Sequence, residues 1–383
     1  MALTSRERVI KVINHEEPDR VPLDFNPLFD CYISLKKFLE MDFPENVSPN
    51  FAMEVVPNIQ VLKRLNIDLI SVKLGSPKSQ NKRIRTDGLL QDEWGILYKR
   101  VPSPGGGSYL EVVEAPLKNA RIKDLEKYPW PEPDLPGRGE GAEQNAKKIF
   151  EDTDLAIIGR FGGPITETAL NMMGMETWMT RLALDPEFIA ALLSKITEIQ
   201  ITFDRIGLEA TAKYLQIFKA SGEDLGMQTG PLYSPKMFTN QILPYLSKRF
   251  HAARKYLDEV NPSVKIMLHS CGSIKRFIPD LIAAGIDILD PIQPHAAEMN
   301  AHDLKTEFGE SLVFHGGIDI QEVLPFGTND EIRDEVMEKI CSLGAGGGYI
   351  LAPAHNVQAD VPPQNLVHLY DCAIRYGQYP IHG

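Results

Sequence analysis

The sequence predicts an α/β protein built on a parallel sheet, and three observations support this fold class. Eight short apolar segments with strand character are spread along the 383-residue chain. Amphipathic helical patterns separate most of them, an alternation typical of parallel strands joined by right-handed crossovers. Polar residues follow several of these segments where the strand would end. The count of eight suits a closed (β/α)8 barrel, but periodicity alone leaves an open doubly wound sheet as the alternative.

The predicted elements follow one another in a regular order. Thr4 and Glu7 form a capping box at the start of the first helix. The predicted strands are residues 21–25, 68–74, 155–161, 214–220, 265–271, 286–292, 312–316 and 349–354. The clearest predicted helices are about 186–210, 235–257, 274–284 and 329–343.

Residues 75–154 interrupt the alternation after the second predicted strand. This stretch is rich in proline, glycine and charge, and contains the glycine triplet 105–107. We interpret it as an insertion with a small hairpin and a flexible loop, not as a separate domain. Residues 1–383 are therefore predicted to form a single barrel domain.

Composition and charge exclude several classes of protein. A net charge of −12, a pI near 5.3 and the lack of a basic run argue against a nucleic-acid partner. No run of about 18 apolar residues predicts a membrane span, and the N-terminus lacks the apolar core of a signal peptide. The four cysteines lie far apart, so we expect no disulfide framework and a cytoplasmic location.

The strand-end sequence around His269 and Cys271 offers metal ligands. The two residues are two positions apart, so on an extended chain their side chains share a face. Imidazole and thiolate are both zinc ligands, and a catalytic zinc typically takes three protein ligands and keeps one position open. His355, after the last predicted strand, is the candidate third ligand. The alternative is that these residues simply pack at the top of the sheet.

Further polar residues at strand ends are candidates for catalysis and substrate binding. We predict catalytic or proton-transfer roles for Asp290, His315 and Glu223, with Asp290 also a candidate fourth metal ligand. The predicted substrate contacts are Asp24, Asn26, Asp224 and Gln293. A structural role, such as helix capping by a carboxylate, is the alternative for each of them.

Several motifs together resemble the uroporphyrinogen decarboxylase superfamily. They are residues 4–8, 15–22, 230–235, 268–272, 279–287, 314–319 and 351–356, and they span nearly the whole chain. The resemblance implies a (β/α)8 TIM barrel and so chooses between the two sheet architectures. It does not specify one reaction.

The decarboxylase branch of this superfamily binds the carboxylates of its porphyrinogen through an Arg-Gln-x-Gly-Arg motif near the N-terminus. Residues 24–30 of this chain contain no arginine. An aspartate of that branch, at the end of the following strand, is also missing from residues 71–77. Without the arginines, a tetra-anionic substrate would leave its carboxylates unpaired. Porphyrinogen decarboxylation is therefore not expected.

The other branch comprises methyltransferases that carry zinc on His-x-Cys and a later cysteine. This chain retains His269 and Cys271 and has His355 at the later position. The resemblance thus implies a zinc-dependent methyltransferase of a corrinoid-linked methyl-transfer or O-demethylation system. The second imidazole leaves zinc more positive and favours activation of an oxygen. The chain lacks the corrinoid-binding Asp-x-His-x-x-Gly signature, so the corrinoid (cobalamin) is expected on a partner protein.

Two other functions stay open at this point. One is a metal-free decarboxylase of a smaller acid, with Lys73 and Arg160 as cationic groups near strand ends. The other is a non-enzymatic accessory protein that binds a corrinoid or its carrier. The sequence does not identify the small-molecule methyl donor or acceptor or the direction of transfer, and it leaves a homodimer open.

Overall fold

The computed structural model describes residues 3–43, 54–75, 77, 85, 87–103 and 106–381. The strands are β1 (Leu69–Lys73), β2 (Leu90–Gln91), β3 (Leu97–Pro102), β4 (Ser108–Glu114), β5 (Ala156–Arg160), β6 (Ile217–Gly222), β7 (Gly226–Met227), β8 (Gly230–Pro231), β9 (Lys265–His269), β10 (Ile288–Ile292), β11 (Val313–Ile318) and β12 (Tyr349–Pro353).

The helices alternate with the strands of the main sheet. The α-helices are α1 (Ser5–Ile13), α2 (Phe29–Phe38), α3 (Ile59–Arg64), α4 (Ile122–Leu125), α5 (Arg138–Asp152), α6 (Thr166–Met173), α7 (Met175–Leu184), α8 (Pro186–Thr211), α9 (Pro235–Met237), α10 (Leu243–Val260), α11 (Ile278–Ala284), α12 (Ala301–Phe308), α13 (Val323–Phe326), α14 (Asn329–Gly344) and α15 (Pro363–Tyr376). A π-helical turn, Phe238–Ile242, joins α9 to α10. The capping box predicted at Thr4 and Glu7 is confirmed.

Seven parallel strands form the main sheet in the order β1, β5, β6, β9, β10, β11, β12. The extended segment 21–25 lies between the two edge strands. Leu23 forms a parallel bridge to Leu351, and the amide of Asp24 donates to the carbonyl of Leu351 at 3.0 Å. On the other side, the amide of Asp68 donates to the carbonyl of Leu23 at 2.9 Å. The sheet therefore closes into a barrel, as the fold prediction requires.

Alternation along the strands gives the barrel an apolar lower layer. Alternate side chains face inward, and those near the N-terminal strand ends are apolar. Helix α1 packs beneath them and closes this end of the barrel. The buried cluster consists of Val9, Val12, Ile13, Leu69, Ala156, Ile158, Ile217, Met267, Ile288, Val313 and Ile350. A second, larger core lies between the strands and the surrounding helices.

The segment between β1 and β5 contains the three-stranded antiparallel sheet β2-β3-β4. It also contains α5, which packs against α8 and begins at Arg138. The range 75–154 thus includes one of the helices around the barrel, which its polar composition had concealed. Residues 76, 78–84, 86 and 104–105 of the predicted insertion lie outside the described residues.

In the part of the chain that the structure describes, no helix combines the length and apolar character needed to cross a membrane.

Candidate metal centre at the barrel mouth

Three potential metal ligands meet at the C-terminal end of the barrel. His269 ends β9, Cys271 follows it by two residues, and His355 follows the end of β12. One donor atom from each lies within 4.8 Å of the other two. The Sγ of Cys271 is 3.4 Å from Nε2 of His269. Zinc bonds of about 2.3 Å to sulfur and 2.05 Å to nitrogen, at a tetrahedral angle, imply a separation of roughly 3.5 Å.

A buried carboxylate orients the first of these ligands. Asp290 on β10 is in register with His269 on the adjacent strand, and its Oδ2 lies 2.8 Å from His269 Nδ1. Burial opposes ionisation of Asp290, but Lys219, His315 and His269 outweigh it and hold the pKa of this carboxyl well below its usual range. The carboxylate therefore accepts, and Nδ1 of His269 donates. Nε2 then presents its lone pair toward Cys271, as metal-binding histidines do.

Burial shifts the pKa values of the other two donors in opposite directions. Burial, together with the charges of Asp224 and Asp290, raises the pKa of the Cys271 thiol. Burial and the neighbouring His269 lower the pKa of His355, which keeps its imidazole neutral. A divalent cation would favour the thiolate and bind the neutral imidazoles directly. The three residues therefore fit zinc in both position and chemistry.

His315 lies between two buried carboxylates. Its Nδ1 is 2.7 Å from Asp290 Oδ1, and its Nε2 is 3.0 Å from Asp24 Oδ2. Burial disfavours a charged imidazole, but Asp290 and Asp24 outweigh it and raise the pKa of His315 to about 9. His315 is thus an imidazolium that donates to both carboxylates at neutral pH. Asn26 also donates to Asp24, at 2.9 Å, so Asp24 and Asn26 are engaged with one another.

Glu223 is buried and supports a helix. It accepts hydrogen bonds from the amides of Ile165 and Thr166, at 2.5 and 2.8 Å, and from the Thr166 hydroxyl. These groups form the start of α6, where a carboxylate also complements the helix dipole. These contacts match the capping alternative, and the catalytic role of Glu223 stays a prediction.

Asp224 and Gln293 lie around the turn that carries Cys271. Asp224 is exposed, and its Oδ1 accepts from the amide of Cys271 at 3.2 Å and lies 3.9 Å from His269 Nε2. Gln293 accepts from the amide of Gly272 at 2.7 Å. Both side chains hold the turn that carries Cys271, and the Asp224 carboxylate is exposed beside His269.

Two charged residues that were not predicted from the sequence, Lys219 and Glu54, also lie at this end of the barrel. Lys219 on β6 lies 2.6 Å from Asp290 Oδ2. Glu54 lies 3.0 Å from Lys73 and 2.9 Å from Arg160, and accepts from Asn356. Lys219 could have been found from the alternation Ile217, Phe218, Lys219, which places its side chain on the inner face. Glu54 precedes α3 and has no local pattern that would reveal it.

One more carboxyl group near the barrel mouth, that of Glu167, has a raised pKa. Burial, together with the charges of Asp224 and Glu223, raises the pKa of Glu167 on α6 to about 7. A carboxyl that is half protonated near neutral pH can donate or accept a proton. The sequence shows only a glutamate in the first turn of a helix, so its neighbours became apparent only in the structure.

Comparison with known proteins places the chain among its relatives. A family model described as uroporphyrinogen decarboxylase (URO-D) matches residues 105–376. The uroporphyrinogen decarboxylase of Geotalea daltonii is 24% identical over 293 residues, covering 74% of this chain and 76% of that protein. Uroporphyrinogen decarboxylase 2 of Arabidopsis thaliana chloroplasts is 25% identical over 272 residues, covering 69% of this chain and 63% of that protein.

Among solved structures, a methyltransferase from Methanosarcina mazei superposes with a TM-score of 0.65. The match has 17% sequence identity and covers 98% of this chain and 99% of the other. It supports the barrel fold over nearly the full length.

Proposed function

The chain belongs to the uroporphyrinogen decarboxylase (URO-D) family, and from this premise we propose that it is a zinc-dependent methyltransferase. It would move a methyl group between a small molecule and a corrinoid carried by a partner protein. The observation that carries the proposal is the convergence of His269, Cys271 and His355, whose donor atoms all lie within 4.8 Å of one another. Three such ligands, all partly exposed, suit a catalytic zinc site, which typically takes three protein ligands and keeps one position open.

Bound zinc would act as a Lewis acid on the heteroatom that gains or loses the methyl group. The chain's own residues prepare that site. Asp290 fixes the tautomer of His269, and His315 as an imidazolium fixes Asp290 in turn. This anchors one proposed zinc ligand, His269, to a buried network, which limits the reorganisation of that ligand on binding.

Proton transfer in the mouth has candidate groups of its own. Asp224 is exposed beside the metal ligands, and Glu167 has a pKa of about 7. Glu167 can take the proton of an incoming thiol or give one to a departing oxygen, and Asp224 lies beside His269 as a further carboxyl group. The assignment of Asp290 to proton transfer is less suitable, because Asp290 is buried and already accepts from Lys219, His269 and His315.

Residues 24–30 weigh against porphyrinogen decarboxylation. Asp24 accepts hydrogen bonds from Asn26 and from His315, and no arginine occurs among residues 24–30. A decarboxylase of a smaller acid stays the second candidate, because Lys73 and Arg160 lie together at the mouth. Zinc-independent release of CO2 from a small carboxylic acid would favour that function.

The first experiment is zinc analysis of the purified protein after incubation with zinc and gel filtration. We expect near-stoichiometric zinc in the wild type and its loss in Cys271→Ala and His355→Ala. Cys341→Ala and His302→Ala are matched controls, because both residues are exposed and distant in sequence from the site. A wild-type protein that holds no zinc contradicts the proposal.

The second experiment measures methyl transfer itself. Zinc-loaded protein is incubated with free cob(I)alamin and a panel of methoxylated and methylated compounds, and formation of methylcobalamin is followed by absorbance. We expect transfer from at least one compound, and its loss in Cys271→Ala. Equal rates with the wild type and Cys271→Ala would contradict a role for the metal.

A further inference from the structure

We propose that Lys73, Arg160 and Lys219 form an anion-binding subsite in the barrel mouth that takes the carboxylate of the methyl substrate. The inference rests on the proposed function and deepens it, because it names the substrate as a methylated carboxylic acid. The three cations occupy consecutive strands of the barrel, β1, β5 and β6.

Strand register brings the three cations to one level. Lys73 is paired with Arg160 across β1 and β5, and Arg160 is paired with Lys219 across β5 and β6. Residues in register on parallel strands point to the same face. On the same strands, Leu69 lies four residues before Lys73, and Ile158 and Ile217 lie two residues before Arg160 and Lys219. These three side chains belong to the apolar layer inside the barrel. The cations therefore form the next inward-facing layer, toward the mouth.

The candidate metal ligand His269 and the two residues of its hydrogen-bond network lie on the other side of the same layer. His269, Asp290 and His315 occupy β9, β10 and β11, the next three strands around the barrel. Two contacts link the two sides of the barrel mouth. Lys219 lies 2.6 Å from Asp290, and Asn356, the neighbour of His355, donates to Glu54 at 3.0 Å. A substrate spanning the mouth would place one end at the metal ligands and the other at the cations.

Lys73 and Arg160 together carry more positive charge than the one carboxylate beside them can neutralise. Lys73 and Arg160 share one carboxylate, Glu54, at 3.0 and 2.9 Å. Both Glu54 oxygens approach the same guanidinium nitrogen of Arg160, Nη2. This is not the two-pronged geometry in which a carboxylate satisfies the guanidinium fork. A second carboxylate can therefore bind to Arg160 and Lys73 with a gain in charge pairing.

Exposure distinguishes this cluster from a structural ion pair. The side chains of Lys73, Arg160 and Glu54 are 38%, 22% and 31% exposed. The pair Arg249 and Asp204 in the same chain is sealed, at 0% and 4%, and has matched charges. A cluster with this partial exposure at the mouth of the barrel is accessible to a small anion. Burial and the neighbouring Arg160 also lower the pKa of Lys73, despite its contact with Glu54.

The test compares an anionic probe, 3-methoxybenzoate, with an uncharged probe of similar size, 3-methoxybenzyl alcohol, by isothermal titration calorimetry with the full-length zinc-loaded protein. Charge-assisted hydrogen bonds contribute about 1.5–3 kcal/mol, so we expect the acid to bind roughly 10- to 100-fold more tightly than the alcohol. Arg160→Gln should lower the affinity for the acid by about 10-fold and leave the alcohol unchanged.

Glu54→Gln should change the affinity for the acid in the opposite direction to Arg160→Gln, because it removes a competing carboxylate while keeping the side-chain size. We expect it to bind the acid more tightly than the wild type. Lys213→Met is the matched control for loss of a cation, since Lys213 is exposed and pairs with Glu143. Equal affinity for acid and alcohol, weaker acid binding by Glu54→Gln, or no acid binding at millimolar concentration would each overturn the subsite.

The test of the anion-binding subsite can be distinguished from the test of the proposed function. Zinc content is measured on the same samples, and acid binding is measured also on protein without added zinc. A preference for the acid in zinc-free protein supports the subsite even if the metal proposal fails. Zinc binding without a preference for the acid overturns the subsite and leaves the methyltransferase proposal standing.

Discussion

The Nδ1 of His269 donates to the carboxylate of Asp290 at 2.8 Å, across two strands in register. This contact leaves Nε2 as the acceptor atom that faces Cys271. Because Asp290 is buried and ionised, the contact sets the tautomer of His269 before any ligand arrives. The geometry of the candidate metal centre therefore depends on a residue that is not itself a ligand.

We expect Asp290→Asn to lower zinc affinity by about 10- to 100-fold, the usual effect of losing such a partner. Competition with a chromogenic chelator measures this affinity. Asp24→Asn is the matched control, since Asp24 contacts His315 but lies on the side of that ring away from Asp290. If both variants retain wild-type zinc affinity, Asp290 does not orient the ligand.

The stability of the protein should fall as pH rises above neutrality, through His315. Its folded pKa of about 9 lies above the ordinary value of 6.5. A raised pKa stabilises the fold fully below pH 6.5, and the contribution is lost as pH rises to about 9. The shift corresponds to at most about 3 kcal/mol.

Urea unfolding at pH 6.5, 8 and 9.5 measures this dependence. His315→Gln removes the titrating group, so we expect a smaller loss of unfolding free energy over this range than in the wild type. A wild-type profile parallel to that of His315→Gln would contradict a charged imidazole at this position.

Glu223→Gln should destabilise the protein and have little direct effect on chemistry. The carboxylate accepts from two amides and a hydroxyl at the start of α6, and charged acceptors are worth about 1.5–3 kcal/mol. We expect the free energy of unfolding to fall by about that amount. Asp224→Asn is the comparison, because Asp224 is exposed at the mouth. A large loss of methyl transfer in Glu223→Gln, without loss of stability, would restore the catalytic role predicted from the sequence.

Gly272→Ala should disrupt the turn that carries Cys271. Gly272 has a φ of +82°, and an added Cβ would lie 2.3 Å from the backbone carbon of Gly226. Gly285 also has a positive φ, +105°, but an added Cβ there meets nothing within 4 Å. We expect Gly285→Ala to cost about 1–2 kcal/mol and Gly272→Ala to cost more and to reduce zinc binding. Thermal denaturation and zinc analysis of both variants check this.

Much of the fold was predictable because its signals are local. Short apolar segments marked the strands later found as β1, β5, β6, β9, β10, β11 and β12. The helix that begins at Pro186 has a local stop-and-start signal, with Asp185 as the cap and proline in the first turn. The helix that begins at Arg138 was missed, because proline, glycine and charge around it resemble a loop.

The sequence by itself determined the strand ends and, at two of them, the His269–Cys271 pair and His355, because residue type and spacing are properties of a short segment. Only the tertiary structure decided that Glu54 lies against Lys73 and Arg160, and that Glu223 caps a helix. It also decided that Lys219 and His315 meet at Asp290. These contacts join different strands and loops of a closed barrel, and which residues face one another across it depends on strand order and register, which local periodicity does not encode.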